Sequence, residues 1–211
     1  SEMCIRDRVM IDQLEVRDAD EHNLLVLDGQ GWFGKDLQKL WFKAEVERKD
    51  SETEEAELQA LYSQASAPFW DVQVGVRQDF QPTPSRTWAV IGLQGLAPYF
   101  FEIDTALFIG ESGRTALRLE AEYELLFTQR LILTPEVEVN FYGQNDADLG
   151  VGSGLSDIET GLRLRYEIRR EFAPYIGVNW NKSFSNTADF ARSAGEKTDD
   201  VQWVIGVRAW F

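Results

Sequence analysis

From Val9 to Phe211 a period-two alternation of apolar and polar residues dominates, and nowhere do about 18 apolar residues run together. In 40–47, Leu40, Phe42, Ala44 and Val46 stand against Trp41, Lys43, Glu45 and Glu47. In 117–125, Leu117, Leu119, Ala121, Tyr123 and Leu125 oppose Arg118, Glu120, Glu122 and Glu124. In 157–167, Ile158, Thr160, Leu162, Leu164 and Tyr166 oppose Asp157, Glu159, Arg163, Arg165 and Glu167. A two-residue period puts successive side chains on opposite faces of a strand. The missing apolar run excludes a transmembrane helix but not a barrel, whose strands cross with about 9–11 residues, alternate ones apolar.

The alternation predicts an all-β fold of about twelve strands, near 9–17, 24–33, 37–47, 55–63, 69–79, 86–96, 100–110, 115–126, 131–142, 156–167, 173–183 and 201–211. No helix longer than a turn, no linker and no second domain is expected. The connections fall alternately into two classes. Those at 18–23, 48–54, 80–85, 111–114, 143–155 and 184–200 are polar and often long; those at 34–36, 64–68, 97–99, 127–130 and 168–172 are short. Short periplasmic turns and longer extracellular loops are how an antiparallel transmembrane β-barrel of the outer membrane is built.

A soluble barrel would also alternate, with its apolar row inside. Three features favour the membrane form. The apolar row is almost free of charge, Asp12 near a strand end being the main exception. Its aromatics gather at strand ends: Phe33, Tyr62, Trp70, Phe101, Tyr166 and Phe211 by the short turns, Phe141, Trp180 and Trp203 by the long loops. Rings at both ends of a lipid-facing surface lie at headgroup level. The charged row mixes signs within single strands, so that its members can pair across a lumen.

That row comprises Glu45, Glu47, Glu57, Glu102, Asp104, Glu120, Glu122, Glu124, Glu136, Glu138, Asp157 and Glu159 against Lys39, Lys43, Arg77, Arg118, Arg163, Arg165 and Arg208. Two readings stay open: a salt-bridge lattice that fills and stiffens the lumen, and an acid-rich interior that attracts cations or selects solutes by charge. The net charge of −15 speaks against nucleic acid, whose phosphates need a basic surface.

The first eight residues, Ser1 to Arg8, read as an in-frame translation of a transposon sequencing adapter, leaving 9–211 as the barrel domain. On that reading Cys4, the one cysteine, offers no native disulfide or thiol site, and the lack of a secretory signal carries no information. His22 is the single histidine and stands with Asp18, Asp20 and Glu21 on a loop assigned to the cell exterior. Imidazole with carboxylates suits divalent copper or zinc, so His22, Asp18 and Asp20 are the candidate metal residues. Beyond Met3, Met10 is the one methionine, too few for a soft monovalent-copper site. With one histidine no nucleophile–base pair can be assembled, and the chain is read as no enzyme. The glycines of 150–154 lack the lysine and the helix of a phosphate loop.

Several strings resemble the copper-resistance protein B family. They include Lys39-Leu-Trp-Phe-Lys-Ala-Glu45, Ala67-Pro-Phe-Trp-Asp-Val-Gln-Val-Gly-Val-Arg77 and Gly152-Ser-Gly-Leu-Ser-Asp157. The most distinctive is Leu162-Arg-Leu-Arg-Tyr-Glu-Ile-Arg-Arg-Glu-Phe-Ala-Pro-Tyr-Ile-Gly177, and Val207-Arg-Ala-Trp-Phe211 closes the series. The resemblance runs in register over nearly everything after the octet. It implies a Gram-negative outer-membrane barrel, surrounded by outer-membrane lipid and encoded with periplasmic copper-handling proteins as candidate partners, that helps to sequester or export copper. It also implies a Met- and His-rich segment ahead of the barrel that this sequence does not contain, and no metal ligand is carried over by motif. The alternative is a general small-solute pore, or a closed structural barrel with no copper role of its own.

Overall fold

The computed structural model describes residues 6–18 and 22–211. Its strands are β1 (Arg6–Asp18), β2 (Asn23–Lys35), β3 (Gln38–Lys49), β4 (Glu52–Ala67), β5 (Trp70–Gln81), β6 (Arg86–Ala97), β7 (Phe101–Gly110), β8 (Thr115–Glu122), β9 (Leu131–Tyr142), β10 (Gly154–Tyr166), β11 (Phe172–Ser183) and β12 (Asp199–Trp210). A two-residue piece, Leu125–Leu126, continues β8 after a break at Tyr123 and Glu124 and pairs with β9. Each strand pairs antiparallel with the next, and β1 pairs with β12 from Met10↔Trp210 to Asp18↔Trp203, closing a twelve-stranded barrel. Closure leaves the sheet without an open edge, as a sheet in lipid requires.

Burial shows which row faces outward. On β5, Val72, Val74 and Val76 are exposed, Val74 by 44%, whereas Gln73 between them is 1% exposed. On β12, Val201, Trp203 and Ile205 are exposed while Gln202 and Val204 are buried. The surface is apolar and the interior polar, the inverse of a water-soluble barrel.

The two classes of connection sit at opposite ends. Among the described residues the loop end carries 22, 50–51, 82–85, 111–114, 143–153 and 184–198, and the turn end 36–37, 68–69, 98–100, 127–130 and 167–171. Two expectations need correction. The polar stretch 48–54 is no long loop: β3 and β4 run on to a two-residue turn at Asp50 and Ser51, both with positive φ as such tight hairpins demand. The connection between β11 and β12 holds a helix, α1 (Ser185–Ala194), ended by Gly195 in the left-handed conformation at φ 77°.

Inward glycines make room for inward aromatics. Glu15, Gly206 and Tyr175 lie side by side on β1, β12 and β11, and a Cβ on Gly206 would sit 2.7 Å from the Tyr175 hydroxyl. Trp88 covers Gly110 in the same way, and on the outer face Trp70 covers Gly95. An apolar cluster of Leu61, Trp88, Val90, Phe108 and Ala116 occupies one side of the lumen, with Trp41 and Tyr142 packed on it.

Candidate functional site

Strand register places carboxylates directly opposite one another. Asp28, Glu45 and Glu57 form one row across β2, β3 and β4. Asp104, Glu120, Glu138 and Glu159 form another across β7 to β10, and Glu102, Glu122 and Glu136 a third across β7 to β9. Glu47 faces Glu55 on β4. Like charges directly opposite on a sheet are destabilising unless a cation stands among them.

Arginines supply most of that compensation. Arg77 lies between Glu57 (3.0 Å) and Asp79 (2.6 Å), and Arg118 donates to Glu57 at 3.2 Å and stands 3.6 Å from Glu138. The indole of Trp88 donates to Asp79 at 3.0 Å, and the Arg77 guanidinium stacks 4.5 Å from the Phe108 ring centre. A second node centres on Glu15, whose side chain is fully buried. Arg163 forks onto both of its oxygens at 2.9 and 3.0 Å, Arg17 donates at 2.6 Å and the Tyr175 hydroxyl at 2.7 Å. From this node Arg163 also holds Glu136 (3.0 Å) and Arg17 holds Glu159 (2.9 Å). Nearer the turn end, Arg165 pairs with Glu124 at 2.6 Å, and Arg208 lies between Asp12 (3.4 Å) and Glu122 (3.7 Å). Asp157 accepts the Asn140 amide at 3.0 Å.

Several of these contacts join strands that are not neighbours and so cross the lumen. Arg118 on β8 reaches Glu57 on β4, and Lys43 on β3 reaches Asp104 on β7 at 2.5 Å. Six inward carboxylates, Asp28, Glu45, Glu47, Glu55, Glu102 and Glu120, have neither an ion pair nor a hydrogen bond among the described residues. The Lys43 ammonium stands within electrostatic reach of Asp28 and Glu120 as well as Asp104.

The 143–153 loop folds over part of the loop end. Asp146, 7% exposed, is held by Arg86 (3.2 Å) and Arg114 (3.3 Å) and exchanges two backbone hydrogen bonds with Val151. Helix α1 braces this loop, since the Thr187 hydroxyl accepts from the Gly152 amide at 2.7 Å and lies 2.8 Å from that of Ser156. Beneath the loop is a cavity of about 10 Å³ lined by Trp88, Tyr142 and Leu149 among others. A second, of about 40 Å³, lies between Asp12, Glu136, Arg163 and Arg208. Each has room for a few water molecules at most.

The candidate metal residues are placed apart from the lumen. His22 is exposed, and its Nδ1 lies 2.6 Å from Asp50, a partner the sequence did not suggest. Asp18 ends β1, paired with Asn23, and Asp20 lies outside the described residues. Among the described residues no group of three or more His, Cys, Asp or Glu side chains is arranged to hold a metal ion. Sequence reasoning also missed Glu15 and Arg17, an ion pair as buried as any in the lumen among the described residues. Their strand has a bulge between Ile11 and Leu14 that shifts the alternation by one residue.

Comparison with known proteins agrees with this geometry. The family described as Copper resistance protein B precursor (CopB) matches residues 5–211. Copper resistance protein B of Escherichia coli is 51% identical over 203 residues, which cover 96% of this chain and 69% of that protein. A Copper resistance protein B homolog of Pseudomonas syringae pv. tomato is 49% identical over 208 residues, 99% of this chain and 71% of that protein. Among solved structures, the NanC porin superposes with a TM-score of 0.63 at 14% identity, covering 97% of this chain and 99% of its own. The KdgM porin gives 0.59 at 13% identity, with 99% of both chains covered. At such identities the two porins speak for the fold alone.

Proposed function

This chain belongs to the copper resistance protein B family, and on that premise we propose that its outer-membrane barrel binds or passes copper ions through the acid-lined lumen. The observation that carries the proposal is the set of six unpaired carboxylates, Asp28, Glu45 and Glu120 among them, inside a lattice whose other acids are mostly paired. A lumen with surplus negative charge and low-dielectric walls concentrates cations and repels anions. Copper is the cargo here, and carboxylate oxygens suit its divalent form better than its monovalent form. The soft ligand at hand, Met10, already accepts a contact from Arg208 at 3.6 Å. His22 with Asp50 is the proposed first contact for a divalent ion at the loop end, and a periplasmic copper-handling protein the proposed partner at the other. The lipid of the outer membrane surrounds the apolar surface.

The test is Cu(II) flux into proteoliposomes carrying the refolded chain, with calorimetric titration of Cu(II) and Cu(I) alongside. Replacing Asp28→Asn, Glu45→Gln and Glu120→Gln together is expected to lower Cu(II) flux about tenfold. His22→Ala is expected to weaken binding without stopping flux. Copper flux no greater than that of sodium, and untouched by the triple substitution, refutes the proposal.

The bridges that cross the lumen favour a second reading, a closed barrel that is stiffened by its own charges and passes nothing. Absence of any ion conductance from folded barrels, together with absence of copper binding, selects that reading.

A further inference from the structure

The turn end differs from the loop end in a way that the lumen does not explain. Each of its five connections carries a large apolar residue in the open: Leu37, Phe69, Tyr99 with Phe100, Phe127 and Ile168. No described residue in a loop-end connection is a large exposed apolar one. Backbone geometry shows the same asymmetry. Positive φ falls on Asp50, Ser51, Ser112 and Ser185 at the loop end but on Phe69 (71°), Tyr99 (68°) and Phe100 (65°) at the turn end. The left-handed region is sterically poor for bulky residues, so aromatic rings held there in the open mark a surface that uses them.

This ring is continuous with the lipid-facing belt and encircles the barrel, as a lipid interface does and a single docked protein would not. One sector of it carries three exposed arginines against one exposed acid, Glu171, a surplus of positive charge. Arg130, in the connection between β8 and β9, and Arg169 with Arg170, between β10 and β11, are exposed, and none of them is in an ion pair among the described residues. The two connections are tied together, the Glu167 amide donating to the Arg130 carbonyl at 2.8 Å. The first is braced by the Thr128 hydroxyl, which accepts from the amides of Arg130 and Leu131. The second is braced by paired backbone bonds between Arg169 and Phe172 and by the Trp210 indole, which donates to the Arg170 carbonyl at 2.8 Å.

We propose that this sector binds the phosphate headgroup of an anionic phospholipid in the periplasmic leaflet, with Arg130, Arg169 and Arg170 on the headgroup and Phe127, Ile168 and Phe172 against the acyl chains. Guanidinium groups match phosphate oxygens in pairs, and free ones beside exposed apolar side chains complement both halves of a lipid. The proposal is independent of copper handling and requires only that the barrel sits in the outer membrane.

Lipid adducts counted by native mass spectrometry test it, on the folded chain released from mixed phosphatidylglycerol–phosphatidylcholine nanodiscs. A basic residue near an anionic surface contributes about fivefold, so three arginines offset by the one exposed acid predict a preference of about 25-fold for phosphatidylglycerol. The Arg130→Gln, Arg169→Gln, Arg170→Gln variant should fall to near parity. A control with the same loss of charge at the loop end, Arg48→Gln, Lys49→Gln and Arg192→Gln, should keep the preference. Heat-modifiable mobility on gels, which reports a closed barrel, is read for every variant. No preference in the parent chain, an unchanged preference in the turn-end variant, or an equal loss in the control each overturns the proposal.

Discussion

Single residues in this lumen act through what they leave unpaired. Glu15 has no access to water, so its charge is tolerable only because Arg163, Arg17 and Tyr175 together occupy both of its oxygens. Removing the fork strands a buried carboxylate, and Arg163→Met is expected to destabilise the barrel by about 3–5 kcal/mol. Tyr175→Phe removes one hydrogen bond to a charged group and should cost about 1.5–3 kcal/mol. Denaturant unfolding in detergent, followed by tryptophan fluorescence, ranks the two; equal midpoints, or a larger loss for Tyr175→Phe, contradict this account. Gly206 belongs to the same node. A methyl group there meets the Tyr175 ring and hydroxyl and the Glu15 Cβ, so Gly206→Ala should cost about 1–3 kcal/mol through overpacking. The inward direction of the charged row was legible in the sequence because its alternation is unbroken from Arg118 to Glu124. The node around Glu15 was not legible, because the β1 bulge breaks the period that would have revealed it and its partners come from β10 and β11.

The elements divide by whether one face or both meet water. In the barrel wall one face meets lipid, and period two survives; every wall strand was therefore readable, with errors at the ends. Past the lipid the constraint lapses. Arg48, Lys49, Glu52, Thr53 and Glu54 look like a loop because both faces of the β3–β4 hairpin are polar there, although the backbone stays paired to the turn. Helix α1 was missed for a related reason, since it is short, exposed over most of its surface and starts without a side-chain cap. What fixes it is tertiary: Ala188 is buried and Thr187 bonds to the 143–153 loop. That loop in turn depends on Asp146, and Asp146→Ala leaves Arg86 and Arg114 facing one another without their shared carboxylate. Such a loop should open. Single barrels in planar bilayers should then conduct more, and protease added on the loop side should cut within 143–153. Conductance and cleavage both indistinguishable from the parent would mean that backbone and helix contacts, not Asp146, hold the loop down.

For the molecule as a whole, shape and charge carry separate information. The porin-like outline accommodates a lumen of any polarity, and the likeness to NanC and KdgM reflects the barrel rather than its contents. The contents are set by register, which brings Asp28, Glu45 and Glu57 together on one wall and Asp104, Glu120, Glu138 and Glu159 on another. Between the walls stands Lys43, a cation supplied by the chain itself, joined to Asp104. A permeating cation would have to share or take over the carboxylates that Lys43 occupies, so this ammonium opposes entry both by its charge and by its bulk. Lys43→Met keeps the length of the side chain and removes the charge. Reversal potentials in salt gradients should therefore shift toward stronger cation selectivity in Lys43→Met, and toward weaker selectivity in the Asp28→Asn, Glu45→Gln, Glu120→Gln variant. Both shifts should shrink as ionic strength rises and screening sets in. Selectivity that moves in the same direction in both variants would separate conduction from the carboxylate rows and return them to a purely structural role.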